Sequence, residues 1–336
     1  MNVRRWLWVA CWCAGVAGVA AQQPFRVMCY NVENLFDCRD DSLKADEEFM
    51  PGGERRWTRF RYWRKLNAVA KVVAAVAEER LPDMIGLCEV ENDSVLFDLV
   101  ARSSLRTLGY RGVMTHSPDV RGMDVALLYQ PGSFRLLESR EWVIPSEREG
   151  FRPTRNLLYV KGQVLSGDTL HVVVCHWPSR LGKTLVARRH RQLAARTLRR
   201  LVDSVESAVP FPRVLVMGDF NAGREERVLS EAFPSGYCVP ERRKDRARKV
   251  HGTYRYQGIW ETIDHVWVSP ALMDVRNRFH TLHGNCRIVA FPFMYEPDKT
   301  YGGIRPFRTY QGTFYRGGYS DHFPLLLDFE WRFPEE

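Results

Sequence analysis

Two spacings of apolar residues organise the chain. Between positions 59 and 80, Leu66, Val69, Val73 and Val76 recur every three or four residues and Pro82 follows, which predicts a helix burying one stripe. Positions 184 to 206 repeat the pattern with Leu193, Thr197, Leu198, Leu201 and Val205 among arginines, and predict a second helix. Elsewhere apolar residues come in short continuous runs, the pattern of strands buried on both faces. They are "FRVMCY" (25–30), "MIGLCEV" (84–90), "RVLVMGDFN" (213–221), "TIDHVWVS" (262–269) and "FPLLLDFEW" (323–331). "DVALLYQ" and "FRLLE" flank Pro131-Gly132 and are expected to form a hairpin. "LLYVKGQVL" and "TLHVVVCHW" flank Ser166-Gly167-Asp168 and are expected to form another. Hairpins mixed with strand–helix–strand units argue for an α/β protein with mixed sheets. No linker rich in Pro, Gly or Ser divides it. Residues 240–252 are the most polar stretch and read as an exposed loop; residues 284–319, rich in Gly and aromatics, read as a long ordered loop of the kind that is often functional.

The first 21 residues have a different character. "MNVRR" is basic, "WLWVACWCAGVAGVA" is apolar, and small residues precede Gln22. This is the pattern of a secretory signal peptide, with cleavage expected near Ala21 and a mature chain of one domain, 22–336, exported to the periplasm or beyond. The apolar run is short for a membrane anchor. Removing it takes Arg4 and Arg5 and lowers the net charge from +9 to +7. A basic exported protein suits an anionic partner, although solubility alone explains such a charge. With 45% hydrophobic and 26% charged residues the composition is that of a globular protein. Cys29, Cys88 and Cys175 lie in apolar runs and read as small core residues. Cys38, Cys238 and Cys286 lie in more polar surroundings, where a disulfide between two of them is open. No C-x-x-C spacing marks a zinc site.

Polar groups close the apolar runs. Asn31 and Glu33 follow the first, Glu89 closes the second, His176 ends "HVVVCH", and Asp219 and Asn221 follow "VLVM". Asp264 sits in "TIDHV", and Asp321 and His322 precede the last run. Any one of these is ordinarily a cap or a turn. Together they mark one edge, because sheets bring strand ends side by side.

The motifs "YNVENLFD", "GLCEVEN", "HWPSR", "MGDFN", "TIDHVWVS" and "YSDHFPL", in this order, resemble the endonuclease/exonuclease/phosphatase superfamily. The group includes deoxyribonuclease I, abasic-site endonucleases, neutral sphingomyelinases and inositol polyphosphate 5-phosphatases. The likeness runs from about residue 25 to 330. "TYRYQGIWETIDHVWVS" and "KTYGGIRPFRTYQGTFYRGGYSDH" look like exported members from Bacteroidetes-type bacteria. The resemblance implies a four-layer α/β sandwich, two packed mixed sheets with helices outside and the site at one end. It implies Mg²⁺, with Mn²⁺ or Ca²⁺ able to substitute, held by Glu89 with Asn31, Glu33 and Asp321 beside it. It implies that Asp264 orients His322 at the phosphate, that Asp219 positions or deprotonates the attacking water, and that Asn221 donates to a phosphate oxygen. His176 is implied to contact phosphate or protonate the leaving oxygen, with Asp124 as its orienting partner.

Several residues around these motifs are candidate substrate contacts. Arg180 follows His176 in "HWPSRLGK", where Lys183 stands in a place that relatives tend to fill with Gly. Arg305, Arg308 and Tyr310 lead into Asp321-His322 and form either a rim for bases and phosphates or a loop packing its own aromatics. "RRHRQLAARTLRR" reads as the solvated face of an outer helix rather than a nucleic-acid track. HExxH, Walker and GxSxG signatures are missing. The leading reading is an exported metal-dependent phosphodiesterase, a nuclease acting on DNA or RNA. A phosphatase or phospholipid phosphodiesterase is the alternative, and a non-catalytic binding protein ranks last. A monomer is expected.

Overall fold

The structure is a computed structural model and describes residues 24–145, 152–180, 185–241 and 250–332. The expected leader and the middle of the polar loop at 240–252 lie outside the described residues. Two mixed sheets dominate. The first holds β1 (Phe25–Leu35), β2 (Met84–Val90), β3 (Arg111–Met114), β4 (Asp124–Tyr129), β12 (Phe279–Ile288) and β17 (Leu325–Trp331), in the order β12-β17-β1-β2-β4-β3. The second holds β5 (Phe134–Trp142), β6 (Leu157–Val164), β7 (Thr169–His176), β8 (Arg213–Asp219) and β11 (Asp264–Val268), in the order β11-β8-β7-β6-β5. Small hairpins pair β9 (Tyr254–Tyr256) with β10 (Ile259–Glu261), β13 (Tyr295–Pro297) with β14 (Ile304–Pro306), and β15 (Tyr310–Gln311) with β16 (Phe314–Tyr315).

The period-2 pattern sorts each strand of the second sheet between two cores. Val172, Val174, Leu215 and Met217 face the first sheet. Val173, Cys175, Val214 and Val216 face outward under α3 (Leu185–Ala208) and the short α4 (Arg227–Ala232). On the other flank α1 (Arg59–Glu79) buries Leu66, Val69, Val73 and Val76, the stripe expected from sequence. Thr58 caps it, its hydroxyl accepting from Arg61 N–H. Two further short helices, α2 (Asp93–Phe97) and α5 (Pro270–Met273), join strands. The layers are helix, sheet, sheet, helix. No helix among the described residues is long and apolar enough to cross a membrane.

Three local expectations are corrected. β4 and β5 do not form a hairpin: β2 and β3 occupy both flanks of β4, so the chain leaves at the Pro131-Gly132 turn and enters the other sheet. β6 and β7 do pair across Ser166-Gly167-Asp168. The segment 284–319 is not one long loop, since it contains the end of β12 and two hairpins. All six described cysteines are thiols, and Cys286 is buried in the core rather than in polar surroundings.

One buried base sets an acid limit on stability. His171, on β7, bonds through Nδ1 to the Tyr159 hydroxyl at 2.8 Å. Burial, helped by Lys161, depresses its pKa to about 4. The unfolded chain therefore binds a proton that the folded state resists. That contribution is complete above the ordinary histidine value of about 6.5 and fades as pH falls toward 4. We expect Tm to drop across this window in the wild type and to drop less in His171→Gln, as thermal unfolding at a series of pH values would show.

Candidate active site

The site lies where strand ends of both sheets meet. The sequence "MGDFN" works there because of one glycine. Gly218 has φ of 150°, and a Cβ on it would stand 1.8 Å from the Cys175 carbonyl oxygen. Only glycine lets β8 run this close to β7. The resulting register sets Asp219 opposite His176 on one side and opposite Asp264 on the other. In the facing sheet, β1 slips its register with β2 after Asn31, and β2 slips against β4 at Glu89. These bulges put Glu33, Asn34 and Glu89 in left-handed backbone, at φ 53°, 51° and 69°, and Asn221 follows β8 at φ 47°. Such conformations are costly for residues with side chains and cluster where a side chain must be re-aimed.

Hydrogen bonds join the two sheets. Asn31 Nδ2 donates to Glu89 Oε1 at 3.2 Å and to Asp219 Oδ2 at 3.0 Å. Asn34 N–H donates to Glu89 Oε2 at 2.7 Å. Asp219 Oδ1 accepts from Asn221 N–H at 2.8 Å, and Asn221 Nδ2 donates to the Trp177 carbonyl at 3.0 Å. His322 Nδ1 meets Asp264 Oδ2 at 2.8 Å. Its backbone N–H donates to Ser320 Oγ, whose hydroxyl donates to the Asn31 carbonyl. Asp219 Oδ2 thus stands between two imidazoles, 3.7 Å from His176 Nε2 and 3.9 Å from His322 Nε2.

The two histidines are driven apart electrostatically. Burial, then Arg155, His322 and Arg121, holds His176 well below the usual histidine range, so it is neutral, and its buried Nδ1 has no hydrogen-bond partner among the described residues. Burial also works against a charge on His322, but Asp264, Asp219 and Asp321 overcome it and hold it well above that range. Burial and then Asp264 push Asp219 up to about 7. Groups of one type with opposed protonation states in one cleft are the signature of acid–base assignments.

Several expected contacts fall elsewhere. Glu33 does not open toward a metal: its carboxylate accepts from Thr309 N–H at 2.6 Å and Arg308 Nε at 3.4 Å, with Lys65 Nζ at 3.8 Å. Asp124 does not orient His176: it accepts from the hydroxyls of Thr115 and Ser117 and from Ser117 N–H. Arg180 is held by Glu226, Glu261 and the Asn221 carbonyl, and so braces the Asp219–Asn221 turn rather than awaiting substrate. Arg305 pairs with Glu296 and Gln311. Tyr310 is buried against Trp57, its hydroxyl donating to the Arg55 carbonyl. Of the three expected rim residues, Arg308 reaches the cluster, donating to Asp321 Oδ2 at 2.8 Å. Burial raises the Asp321 carboxyl, yet Arg308, His322 and Lys65 hold it below its ordinary value.

Sequence reasoning missed Lys65, Tyr254 and Arg155. Lys65 is buried on α1, and burial pulls its pKa down to about 8 against Glu33, Asp321 and Glu89. Its signal was its position, beside Leu66 on the apolar stripe where a solvated lysine is out of place. Tyr254, on β9, lays its ring 4.9 Å from that of His322. Arg155 is buried, donating to Asp119 and the Trp177 carbonyl.

The donor set fits a hard divalent cation. Among the described residues, Glu33, Glu89, Asp219, Asp264 and Asp321 meet only Lys65, Arg308 and His322 as close cationic partners, the neutral His176 aside. That leaves the cluster short of positive charge, and all the acids offer oxygen, as Mg²⁺, Mn²⁺ or Ca²⁺ prefer. One ligand atom each of Asp219, Asp264 and His322 lies within 4.8 Å of the others. A hydrogen bond already joins two of these three, so the Glu89 side, whose carboxylate is 16% exposed, is the better seat for an ion.

Two mixed sheets packed between helices, with a polar site across their strand ends, define the deoxyribonuclease I-like fold class. Residues 26–331 match the endonuclease/exonuclease/phosphatase family, and the chain belongs to it. Among curated proteins none matches its sequence. Among solved structures, the mannosyl-6-phosphatase of Bacteroides thetaiotaomicron is similar at a TM-score of 0.60 and 16% identity, over 91% of this chain and 100% of that one. TDP2 from D. rerio, complexed with single strand DNA product, is similar at 0.56 and 15%, over 92% and 100%. An endonuclease/exonuclease/phosphatase from Bacteroides vulgatus is similar at 0.55 and 15%, over 93% and 100%. At these identities the likeness is one of fold.

Proposed function

We propose that the protein is an exported, divalent-metal-dependent phosphoester hydrolase whose first substrate class is the nucleic-acid phosphodiester. The observation that carries this reading is Asp219, tuned to about 7 and set between a neutral and a charged imidazole at the edge of an oxygen-donor cluster. Glu89, with Asn31 and Asp321 near it, would hold the ion, which supplies Lewis-acid stabilisation of charge on the phosphoryl oxygens. Asp219 takes a proton from the attacking water. His322, kept charged by Asp264, donates from Nε2 to a phosphate oxygen as negative charge builds there. As the water oxygen bonds to phosphorus the bond to the leaving oxygen breaks; His176, neutral, donates a hydrogen bond to that oxygen or to the phosphate, and the proton taken up by Asp219 passes to the leaving oxygen or to solvent. The basic net charge supports an anionic polymer as substrate, and so does the fold shared with a TDP2 bound to single strand DNA product.

A second reading, a phosphatase on a smaller ester, is favoured by the burial of Tyr310 and the pairing of Arg305 with Glu296, which leave Arg308 as the one of the three rim candidates at the cluster. A similar fold carries a mannosyl-6-phosphatase. To test both, the purified chain would be offered plasmid DNA, RNA and 4-nitrophenyl phosphate with Mg²⁺ or with chelator. Chelator-sensitive cleavage of DNA or RNA supports the first reading. Turnover of the monoester alone supports the second, and hydrolysis indifferent to chelator removes metal dependence from both.

A further inference from the structure

Glu33 is the residue that departs most from expectation, and its surroundings explain why. Its carboxylate is buried, and all its partners come from segments remote in sequence. Lys65, on α1, is 1% exposed; its ammonium donates to Thr309 Oγ1 at 2.5 Å and the Tyr319 carbonyl at 2.6 Å, and stands 3.8 Å from Glu33. Thr309 N–H in turn donates to Glu33. The backbone around Arg308 is pinned from the other side, because Gly318 N–H donates to the Arg308 carbonyl and Tyr319 N–H to the Phe307 carbonyl. Arg308 therefore leaves a fixed backbone and passes between two carboxylates. Its Nε meets Glu33 at 3.4 Å and one amino group meets Asp321 at 2.8 Å. Its other amino nitrogen, Nη1, makes no hydrogen bond among the described residues, and the side chain is 40% exposed.

We propose that Arg308 grips the phosphate of the substrate, and that the buried Lys65–Glu33 pair serves to aim it. A guanidinium held on two edges by carboxylates presents its remaining N–H groups in a fixed direction, which suits a planar fork to a phosphate oxygen. Glu33 is buried between two cations, with Arg308 Nε at 3.4 Å on one side and Lys65 Nζ at 3.8 Å on the other, so Lys65 closes the side that Arg308 leaves open. It is a positioning residue, and its bonds to Thr309 and Tyr319 fix the segment that carries Arg308. The inference rests on the phosphoester reading above and assigns Glu33 to arginine positioning instead of metal binding.

The test is calorimetric titration of the full chain with inorganic phosphate, without added divalent ion, alongside KM and kcat on the best ester. Arg308→Gln should weaken phosphate binding about tenfold or more and raise KM more than it lowers kcat. Arg308→Lys should not restore it, because a point charge cannot bridge two carboxylates and a phosphate. Lys65→Met alone leaves a buried acid and is at risk of misfolding, so the double change Lys65→Met/Glu33→Gln removes the pair together. That variant keeps Arg308 and should still lose phosphate affinity by a similar factor. Wild-type affinity in Arg308→Gln or in the folded double variant overturns the proposal, as does a wild type that binds no phosphate. Arg308-dependent phosphate binding with no hydrolysis of any ester would sustain this inference and reject the hydrolase reading.

Discussion

His322→Ala should lower kcat/KM about a hundred- to ten-thousandfold, the range associated with a positioned proton donor, while the protein keeps its fold. The imidazole sits at the end of a defined chain of contacts. Asp264 fixes Nδ1 at 2.8 Å, Ser320 holds the backbone, and Tyr254 covers the ring. This leaves Nε2 facing Asp219 and the cleft. Asp264→Asn is the more informative companion. Asp264 is the foremost influence raising His322 and, after burial, the foremost one raising Asp219. Replacing it lowers both pKa values. Asp219 acts deprotonated, so the rise of activity with pH should move to lower pH. His322 acts protonated, so the fall of activity should also begin at lower pH. A pH–rate profile that shifts as a whole toward acid is the expected result. A profile unchanged in Asp264→Asn, or a folded His322→Ala enzyme at full rate, would remove these residues from the chemistry.

Glu89→Gln should cost about a hundred- to a thousandfold in kcat, the scale on which a lost charge-stabilising group is felt. It should also weaken Mg²⁺ or Mn²⁺ binding in a direct titration. The substitution keeps the size of the side chain and changes its charge. It also sets an amide N–H₂ against one of two donors, Asn31 Nδ2 and Asn34 N–H. Asn34 N–H is placed by a bulge with left-handed backbone, and the Asn31 amide is fixed by its bonds to Asp219 Oδ2 and from Glu33 N–H, so the site cannot easily turn the new amide away. Circular dichroism would confirm the fold. If Glu89→Gln binds the ion and turns over as the wild type does, the ion's seat lies elsewhere, and the Asp219–Asp264–His322 cluster becomes the next place to look.

Much of the architecture was legible in the chain. The stripe Leu66, Val69, Val73, Val76 became α1, and the runs at 84–90 and 213–219 became β2 and β8. Burial along one element follows a local period, so its trace is written in neighbouring residues. The strand-end polar residues were legible as a group for the same reason. Asn31, Glu89, His176, Asp219, Asp264 and His322 do converge. The pairing of β4 and β5 was not legible, because a turn signal does not say that both flanks of a strand are already taken.

The roles of long charged and aromatic side chains were the least legible. Arg180, Arg305, Arg308 and Tyr310 looked alike as candidate substrate contacts, yet of these four only Arg308 enters the cluster. Arg180 is drawn off by Glu226 and Glu261, and Tyr310 by Arg55. Lys65 was not singled out, although its place on the apolar stripe marked it. By itself the sequence determined the two long helices, most strands of the two main sheets, the family and the polar residues at the strand ends, because these depend on period and order. Only the tertiary structure decided which acid meets which base. Those partners lie as far apart as Glu33 and Arg308, 275 positions along the chain, and a charge's state is set by whatever the fold brings within a few ångströms of it.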